Sequence, residues 1–419
     1  MLYVLIGCVP APATFEATLT PSVTRILDAA TPTTKPTKDL TSTPTPFVPK
    51  AVIKIASHGP LSGNQAIFGR DILRGAELAI RQLAGPLAEQ GYQIELVPYD
   101  DRNNMEIALA NTQEIVADPA ILCAIGHYTS RITVQVSEIY HEAGLALLAP
   151  STTTTVLTDH GYREINRVIG RNDGQGVAGA QFAKDQGFTN VYIISERNEY
   201  GLKNAEYFRL EADRIGIQVL GMLITEMIED PTLILRRMMA ANPELVYYAG
   251  TAHQAIPFFR EARAAGYTGA FLGLDDLNNP PLFNLAGASL VKNGRMYFTV
   301  LTAPANFYPD AAKFIKNFEV HYGTSPLLFA ARAYDAAGIC MKAIEVASKA
   351  KGGEIPTRAE VVNAIRALKD YKGIMGTYSF NGQGDLTLAK YYVFKVVSVD
   401  PAKWHQNSII ASYDVAPRR

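Results

Sequence analysis

The segment that decides the fold is residues 125–155, IGHYTSRITVQVSEIYHEAGLALLAPSTTTT. It begins at the end of an apolar run, 120–125, which predicts a buried strand. A small polar turn follows, and residues 132–143 then have the apolar periodicity of an amphipathic helix. A second apolar run, 145–149, predicts the next strand, which ends in a proline and five hydroxyl residues. The segment therefore predicts two successive strands, each followed by a hydroxyl-rich loop.

Both hydroxyl-rich loops lie at the carboxyl ends of predicted parallel strands, where small ligands bind in open α/β sheets. Hydroxyl groups and free backbone N–H groups at such an edge can hold a small carboxylate. The same residue types also cap helices and form turns without any ligand. A single hydroxyl-rich loop would favour capping and turn formation without a ligand. Two such loops at one edge leave open both this interpretation and ligand binding.

Strands and helices also alternate on either side of this segment. Apolar runs at 52–56 and 92–99 predict strands, and segments 71–83 and 106–117 have helical periodicity. A second alternating series begins near Asn172. Because βαβα alternation predicts a parallel sheet with helices on both faces, the two series predict an α/β protein with two doubly wound lobes.

The composition is that of an ordinary globular protein, with 48 % hydrophobic and 19 % charged residues. At 419 residues the chain exceeds one compact core, which agrees with two lobes. Its 39 basic and 40 acidic residues are interspersed, whereas a nucleic-acid surface needs a basic patch. No run of 18 apolar residues occurs, so the sequence predicts no transmembrane helix.

The first 49 residues differ from the rest. Residues 1–8 are apolar and end in Leu5-Ile6-Gly7-Cys8, which resembles a bacterial lipobox, the signal in which the cysteine becomes lipidated. Only seven residues precede Cys8 and none is basic, so either the natural start lies upstream or Cys8 is incidental. Twelve of the nineteen residues 31–49 are Thr or Pro, a composition that cannot bury a core. We expect a lipidated Cys8 and a disordered linker, 9–49, that tethers a soluble domain.

Few residues suggest catalysis or metal binding. The three cysteines form no disulfide framework, and we interpret Cys123, in a predicted strand, and Cys340, in a predicted helix, as inert core thiols. The seven histidines are scattered without metal-ligand spacing. His127, the histidine nearest the predicted ligand edge, is interpreted as a structural hydrogen-bond partner. The sequence thus predicts no metal and no cofactor.

One motif resembles a dinucleotide site. Residues 174–179 match G-x-G-x-x-G, and Glu196 ends a strand about twenty residues later. That fingerprint needs its first glycine directly after a buried strand, but four residues separate Gly174 from the apolar run ending at Ile169. A crossing into a closely packed helix explains the glycines better, so an NAD-dependent enzyme is only a remote alternative.

Six short motifs occur in order along residues 52–399. They are Gly59-Pro60-Leu61-Ser62-Gly63, Tyr99-Asp100-Asp101, Ile125-Gly126-His127, Asn198-Glu199-Tyr200-Gly201, Val246-Tyr247-Tyr248-Ala249-Gly250 and Gly382-Gln383-Gly384-Asp385-Leu386. Their order and spacing resemble those of the branched-chain amino-acid-binding proteins, the substrate-binding components of ABC transporters. This resemblance implies the type I periplasmic binding protein fold, in which a three-strand hinge joins the two lobes.

The family pattern places the lobe crossings near Gly170, Tyr297 and Tyr378. Lobe 1 would then comprise residues 51–170 plus 298–377, and lobe 2 residues 171–297 plus 378–415. Some family members carry a disulfide beside the first hydroxyl-rich loop. Here Thr129 stands at one of those half-cystine positions, so that bridge is not expected.

The resemblance also implies an amino-acid site between the lobes. On the first lobe, Ser130 occupies the carboxylate-binding serine position. Thr153 occupies the threonine position that contacts both ends of the ligand, and Ser151 supplies main-chain contacts. Phe68 aligns with an aromatic residue that forms a wall of the side-chain pocket.

On the second lobe, Tyr200 matches a ligand-contacting tyrosine, and Asp275 aligns with the ammonium-binding glutamate. Two departures from the family matter. The Asp275 side chain is one methylene shorter than that of glutamate. Its carboxylate therefore reaches the ammonium group of the ligand only if the cleft closes further or a water molecule bridges the two groups; otherwise Asp276 binds the ammonium group instead. Thr251 and Ala252 stand where the family often has an aromatic residue, which predicts a larger or more polar pocket.

These observations together predict a solute-binding receptor, not an enzyme, that binds a branched-chain or related amino acid and delivers it to an ABC permease. It would lie in the periplasm or on the outer face of the cytoplasmic membrane. We expect a monomer that is held by a lipid anchor only and has no nucleic-acid partner. The alternative is a regulatory domain that senses amides or other small solutes.

Overall fold

A computed structural model describes residues 48–63, 65–226 and 231–418. Cys8 and nearly all of the predicted linker lie outside these residues, so the lipid anchor and the tether stay predictions. Within the described residues, no helix combines the length and the hydrophobicity needed to cross a bilayer.

The first sheet is parallel and has the strand order β2-β1-β3-β4-β5. All residues of its third and fourth strands are buried, as their unbroken apolar runs predict. The strands are β1 (Ala51–Gly59), β2 (Tyr92–Asp100), β3 (Ile121–Gly126), β4 (Ala146–Ala149) and β5 (Ile165–Arg167). The helices among them are α1 (Ala66–Leu83), α2 (Gly85–Glu89), α3 (Met105–Ala117), α4 (Ser130–Glu142) and α5 (Val156–Asp159).

The second sheet contains the strands of the second alternating series and three strands from later in the chain. Its order is β14-β13-β10-β9-β8-β6-β7, with β13 antiparallel to both of its neighbours. The strands are β6 (Asn190–Glu196), β7 (Gln218–Thr225), β8 (Leu245–Ala249), β9 (Ala270–Gly273), β10 (Met296–Val300), β13 (Ala389–Lys395) and β14 (Ser408–Val415). The helices are α6 (Asp173–Asp185), α7 (Glu199–Ile215), α8 (Thr232–Ala241), α9 (Ala252–Ala264) and α10 (Pro280–Ala286).

After β10 the chain returns to the first sheet. Helix α12 packs on α1 and on strands β3 and β4, and α13 packs on α12 and the same two strands. The elements of this return are α11 (Ala312–Tyr322), α12 (Ala330–Ala350), α13 (Arg358–Ala367) and a hairpin of β11 (Tyr371–Gly373) and β12 (Gly376–Tyr378). The chain then re-enters the second sheet through β13. This architecture confirms the predicted fold class, while the lobe boundaries at residues 170, 297 and 378 stay predictions.

The cysteine prediction was wrong. Cys123 in β3 and Cys340 in α12 form a disulfide, with their Cα atoms 6.0 Å apart. The two residues are 217 positions apart in the sequence, and only the return of α12 onto the first sheet brings them together. The spacing of the cysteines therefore gave no indication of the bond.

Removing this disulfide should destabilise the protein, because the bond restricts the unfolded chain over 217 residues. We expect a Cys123→Ala/Cys340→Ala double variant to lose about 2–4 kcal/mol of unfolding free energy. Urea unfolding followed by circular dichroism would measure the loss as a lower midpoint. Cys8→Ala, which leaves the bond intact, is the control, and equal midpoints for the double variant and this control would contradict the prediction.

Candidate ligand-binding site

The two hydroxyl-rich loops lie side by side at the carboxyl edge of the first sheet. The Ser151 hydroxyl contacts two carbonyl oxygens of the first loop, those of His127 at 2.8 Å and Tyr128 at 2.9 Å. The hydroxyl oxygens of Thr133 and Thr152 are 2.7 Å apart. These bonds hold the second loop against the start of α4. The structure thereby brings together the two loops that the sequence predicted to be neighbours.

Ser130 is the first residue of helix α4. The residue before it, Thr129, caps no N–H group of this helix with its side chain and instead donates to Asn103 Oδ1 at 3.1 Å. The first turn of α4 therefore presents N–H groups and the Ser130 hydroxyl at the sheet edge. Such a helix terminus favours a negatively charged group.

A cavity of about 170 Å³, here called the inner cavity, lies between the two sheets. Ser151 and Thr153 line it from the first lobe and Asp275 from the second. Its other lining residues are mainly apolar. They are Ile169, Asn278, Val300, Leu301, Thr302, Pro304, Leu328, Phe329 and Phe394. A few polar groups in a mainly apolar lining are typical of a small-molecule site.

A wider cavity of about 530 Å³, here called the outer cavity, adjoins the inner one, because Thr153 lines both. Ser130 lies on its first-lobe side and Tyr200 on its second-lobe side. Of the six predicted ligand residues, the two cavities thus bring together five. The remaining residues of the outer cavity are Arg131, Val134, Gln135, Thr154, Val156, Asn172, Asn198 and Thr251.

Asp275 is held in place by two donors. The Tyr200 hydroxyl donates to its Oδ1 at 2.5 Å, and the Gln175 side-chain amide donates to the same oxygen at 2.9 Å. Burial raises the pKa of Asp275, and these two hydrogen bonds act in the opposite direction. Burial and the adjacent carboxylate raise the pKa of Tyr200, so its phenol stays protonated and can donate. The result is a fixed carboxylate on the wall of the inner cavity.

Asp276 has a different position. Its Oδ2 accepts a hydrogen bond from the Ala252 N–H at 2.6 Å, at the start of helix α9, and the residue is exposed. Thr251 lines the outer cavity at the position where the family often has an aromatic residue. Its hydroxyl and its N–H both donate to Glu196 Oε1, at 2.8 and 2.7 Å. Of the two adjacent carboxylates, only Asp275 lines the inner cavity.

Phe68 lines neither of the two cavities. Its ring stacks on Tyr128, with centroids 4.9 Å apart and planes 8° apart. It also meets Phe329 edge to face at 6.3 Å, and Phe329 lines the inner cavity. Phe68 therefore packs against Phe329, which is part of the apolar wall of the inner cavity, and does not itself line that cavity.

Sequence reasoning missed several residues of the site. Gln175 lies inside the dinucleotide-like motif, and its side chain was not considered as part of the site. Its position was the available signal, because an amide side chain close to the start of a helix often makes a polar contact. Thr302 follows β10, Phe329 directly precedes α12 and Phe394 lies in β13, and no local pattern marks them as cavity residues. Only the packing of the two lobes places them together.

The glycines of that motif have a packing role. A Cβ atom on Gly174 would lie 2.2 Å from the Tyr391 hydroxyl oxygen, and one on Gly176 would lie 2.4 Å from the Asn204 carbonyl oxygen. Helix α6 begins at Asp173, several residues after β5 ends. The glycines therefore allow α6 to pack closely against β13 and α7, as the sequence analysis expected.

Comparison with known proteins identifies the family of the chain. Residues 52–401 match the sequence model of a family described as periplasmic binding protein. The chain is 27 % identical over 361 residues to an amino acid binding protein of Pseudomonas aeruginosa, covering 85 % of this chain and 92 % of that protein. It is also 27 % identical over 362 residues to the leucine-, isoleucine-, valine-, threonine-, and alanine-binding protein of the same organism, covering 85 % and 91 %.

Among solved structures, a leucine binding protein of Thermotoga maritima superposes with a TM-score of 0.66 at 25 % identity, covering 86 % of this chain and 98 % of that chain. A 4-hydroxybenzoate complex of a solute binding protein from R. palustris has the same fold, with a TM-score of 0.67 at 20 % identity over 87 % of this chain and 98 % of that chain. These findings confirm the resemblance inferred from the six motifs. Since the family match spans most of its length, the chain belongs to the periplasmic binding protein family.

Proposed function

We propose that the chain is the solute-binding receptor of an ABC transporter, which binds an amino acid between its lobes and delivers it to the permease. As a member of this family it is an extracytoplasmic solute-binding protein. The observation that carries the proposal is the pairing of Asp275 on one side of the inner cavity with Ser151 and Thr153 on the other. An anionic group thus faces hydroxyl groups across a space of small-molecule size.

The carboxylate of an amino acid would lie against the first lobe. Ser130 and Thr153 offer hydroxyl groups there, and the first turn of α4 offers backbone N–H groups. Its ammonium group would lie against Asp275. Because an unpaired buried charge costs several kcal/mol, both ends of the ligand need these partners.

The side chain of the ligand would contact the apolar wall of the inner cavity. Ile169, Val300, Leu301 and Phe329 are among the residues of that wall. An aliphatic side chain suits this surface better than a charged one, because a charge would lose its hydration without gaining a partner. A branched-chain or related amino acid is therefore the proposed ligand. One Pseudomonas aeruginosa relative is named an amino acid binding protein, and the name of the other lists leucine, isoleucine, valine, threonine and alanine, which supports this choice.

Each lobe holds one end of such a ligand, so binding stabilises the closed arrangement of the lobes. The permease would recognise that arrangement. The receptor itself would catalyse no reaction and would act as a monomer. Lipidation of Cys8 would hold it at the membrane, and this anchor is part of the proposal.

The proposal is tested by a thermal-shift screen of the full chain. The ligands are the twenty amino acids, short amides and aromatic acids, since a ligand that binds the folded state raises the melting temperature. A rise with aliphatic amino acids supports the proposal. A rise only with ligands that lack an α-ammonium group would keep the receptor role and overturn the assignment of Asp275.

Asp275→Asn should weaken amino-acid binding at least about a hundredfold, because the ammonium group would lose its charged partner. Asp276→Asn is the matched control, since its side chain can still accept from the Ala252 N–H and lies outside the inner cavity. Isothermal titration calorimetry measures both affinities. Equal losses in the two variants would contradict the assignment.

Binding should also depend on pH through Asp275. Its pKa is raised by burial, so on acidification it takes up a proton at a higher pH than an ordinary aspartate. Protonation removes the negative charge, and affinity should therefore fall as the pH decreases through that pKa. The only tryptophan, Trp404, donates to Asn278 Oδ1 at 3.0 Å, and Asn278 lines the inner cavity, so tryptophan fluorescence can follow binding. A pH profile identical in Asp275→Asn would refute this explanation.

Ser130→Ala should weaken binding about ten- to hundredfold, the range for a hydrogen bond to a charged group. Ser137→Ala is the control, because Ser137 is in the same helix but donates to the Val134 carbonyl at 2.7 Å. The two dissociation constants are compared by fluorescence titration at neutral pH. Unchanged affinity in a folded Ser130→Ala variant would remove this serine from the site.

A further inference from the structure

A second cluster of polar side chains lies at the carboxyl edge of the first sheet, outside both cavities. His58 is near the end of β1, Asp101 directly follows β2, and His127 directly follows β3. These strands are neighbours in the order β2-β1-β3, so the three side chains converge. None of the three side chains is accessible to solvent. The mechanism of amino-acid binding uses none of them.

The geometry of the cluster is close to that of a metal site. One potential ligand atom from each of the three residues lies within 4.8 Å of the other two. His127 Nδ1 is 3.3 Å from Asp101 Oδ2, and the imidazole centroids of His58 and His127 are 4.0 Å apart. A tetrahedral zinc ion with bonds of about 2.0–2.1 Å places neighbouring ligand atoms about 3.4 Å apart. Side-chain adjustments of about 1 Å would therefore give the three residues zinc geometry.

The hydrogen bonds that hold the rings now are long. The Tyr140 hydroxyl oxygen is 3.4 Å from His58 Nδ1 and 3.5 Å from His127 Nε2, and Asn111 Nδ2 is 3.4 Å from His58 Nε2. Distances of this size are at the weak end of hydrogen bonding. The rings can therefore exchange these contacts for stronger ones at small cost.

The charge balance of the cluster also favours a cation. Each imidazole offers a nitrogen lone pair that can bind a metal, and both rings are buried. Asp101 is buried, and within the described part of the chain its only ion-pair partner is His127. A buried carboxylate without a cationic partner is costly. A divalent ion would supply the missing positive charge.

We propose that His58, His127 and Asp101 bind one divalent transition-metal ion, for which zinc is the best match. Two imidazoles and one carboxylate are a ligand set that suits zinc and related metals. The Tyr140 hydroxyl lies within 3.5 Å of one nitrogen of each ring, His58 Nδ1 and His127 Nε2. The three ligands are far apart in the sequence, which explains why their spacing showed no metal motif.

Neighbouring backbone supports this arrangement. A Cβ atom on Gly126 would lie 2.3 Å from the His58 carbonyl oxygen, so only glycine allows β3 to bring His127 so close to β1. The Asn103 N–H donates to Asp101 Oδ1 at 2.8 Å and orients the carboxylate, as outer contacts of metal sites do. The Ser151 hydroxyl donates to the His127 carbonyl oxygen. A bound ion would therefore also fix the loops that form the amino-acid site.

The test measures metal binding to the full chain and does not depend on the proposed transport function. The protein is stripped with a chelator, and Zn²⁺ or Co²⁺ is then added either to the folded chain or during refolding, because the site is buried. After desalting, we expect one bound ion per chain and, with Co²⁺, the visible absorption of a tetrahedral site. His58→Gln and Asp101→Asn should each weaken binding at least about tenfold.

His141→Gln is the control, because His141 Nδ1 lies 2.6 Å from Glu164 Oε2 in a partly exposed pair that could hold a metal adventitiously. This variant should retain the bound ion. The proposal is overturned if neither loading procedure gives stoichiometric metal, or if His141→Gln loses the ion while the two cluster variants keep it. If a cluster variant does not fold, the metal content and the cobalt spectrum of the chain without substitutions decide whether the proposal stands.

Discussion

Three buried arginines connect the segments by which the chain passes between its lobes, and the rest of the structure depends on them. Arg167 pairs with Asp385 at 2.8 Å, and Arg171 pairs with Asp385 at 3.2 Å and with Asp173 at 2.9 Å. Arg332 donates to the Val168 carbonyl at 2.6 Å and to the Thr302 hydroxyl at 3.0 Å. Breaking a buried ion pair costs about 3–5 kcal/mol, so the pairs that Arg167 and Arg171 make with Asp385 hold these segments together. Arg167 also donates to the Thr152 carbonyl oxygen at 3.0 Å, which connects this junction to the second hydroxyl-rich loop.

The parts of the fold that the sequence predicted are those decided locally. Strands such as β3 and β4 are unbroken apolar runs because both faces of the sheet are covered, and the intervening helix α4 has the matching periodicity. The parts that could not be predicted depend on distant contacts. Strand β14 is an edge strand whose burial alternates, so its sequence has no apolar run, and the Cys123–Cys340 bond exists only because α12 returns to β3.

The same division applies to the candidate site. The two hydroxyl-rich loops were predictable, because they follow two recognisable strands, whereas Ser130, Ser151 and Thr153 were selected within them by resemblance to the family. Asp275 was placed by resemblance to the family, and its position on the cavity wall depends on Gln175 and Tyr200, which come from two different helices. The apolar wall includes Val300 and Leu301, at the end of β10, and Phe394, in β13, and local sequence carries no signal for it. The polar groups of the candidate site were thus easier to infer from the sequence than the shape of its apolar wall.

The carboxyl edge of the first sheet explains why two different clusters occur so close together. The carboxyl ends of all parallel strands lie at the same edge of the sheet, so the residues that directly follow the strands form one row along that edge. The outer layer of that edge, Ser130, Ser151 and Thr153, reaches the cavities, whereas the layer beneath it, His58, Asp101 and His127, is closed to solvent. A hydroxyl layer suits a ligand that must enter and leave. A buried layer of imidazole and carboxylate suits an ion that stays, and the Ser151–His127 hydrogen bond connects the two. The stability of the lower layer therefore limits how well the upper layer can be ordered for binding.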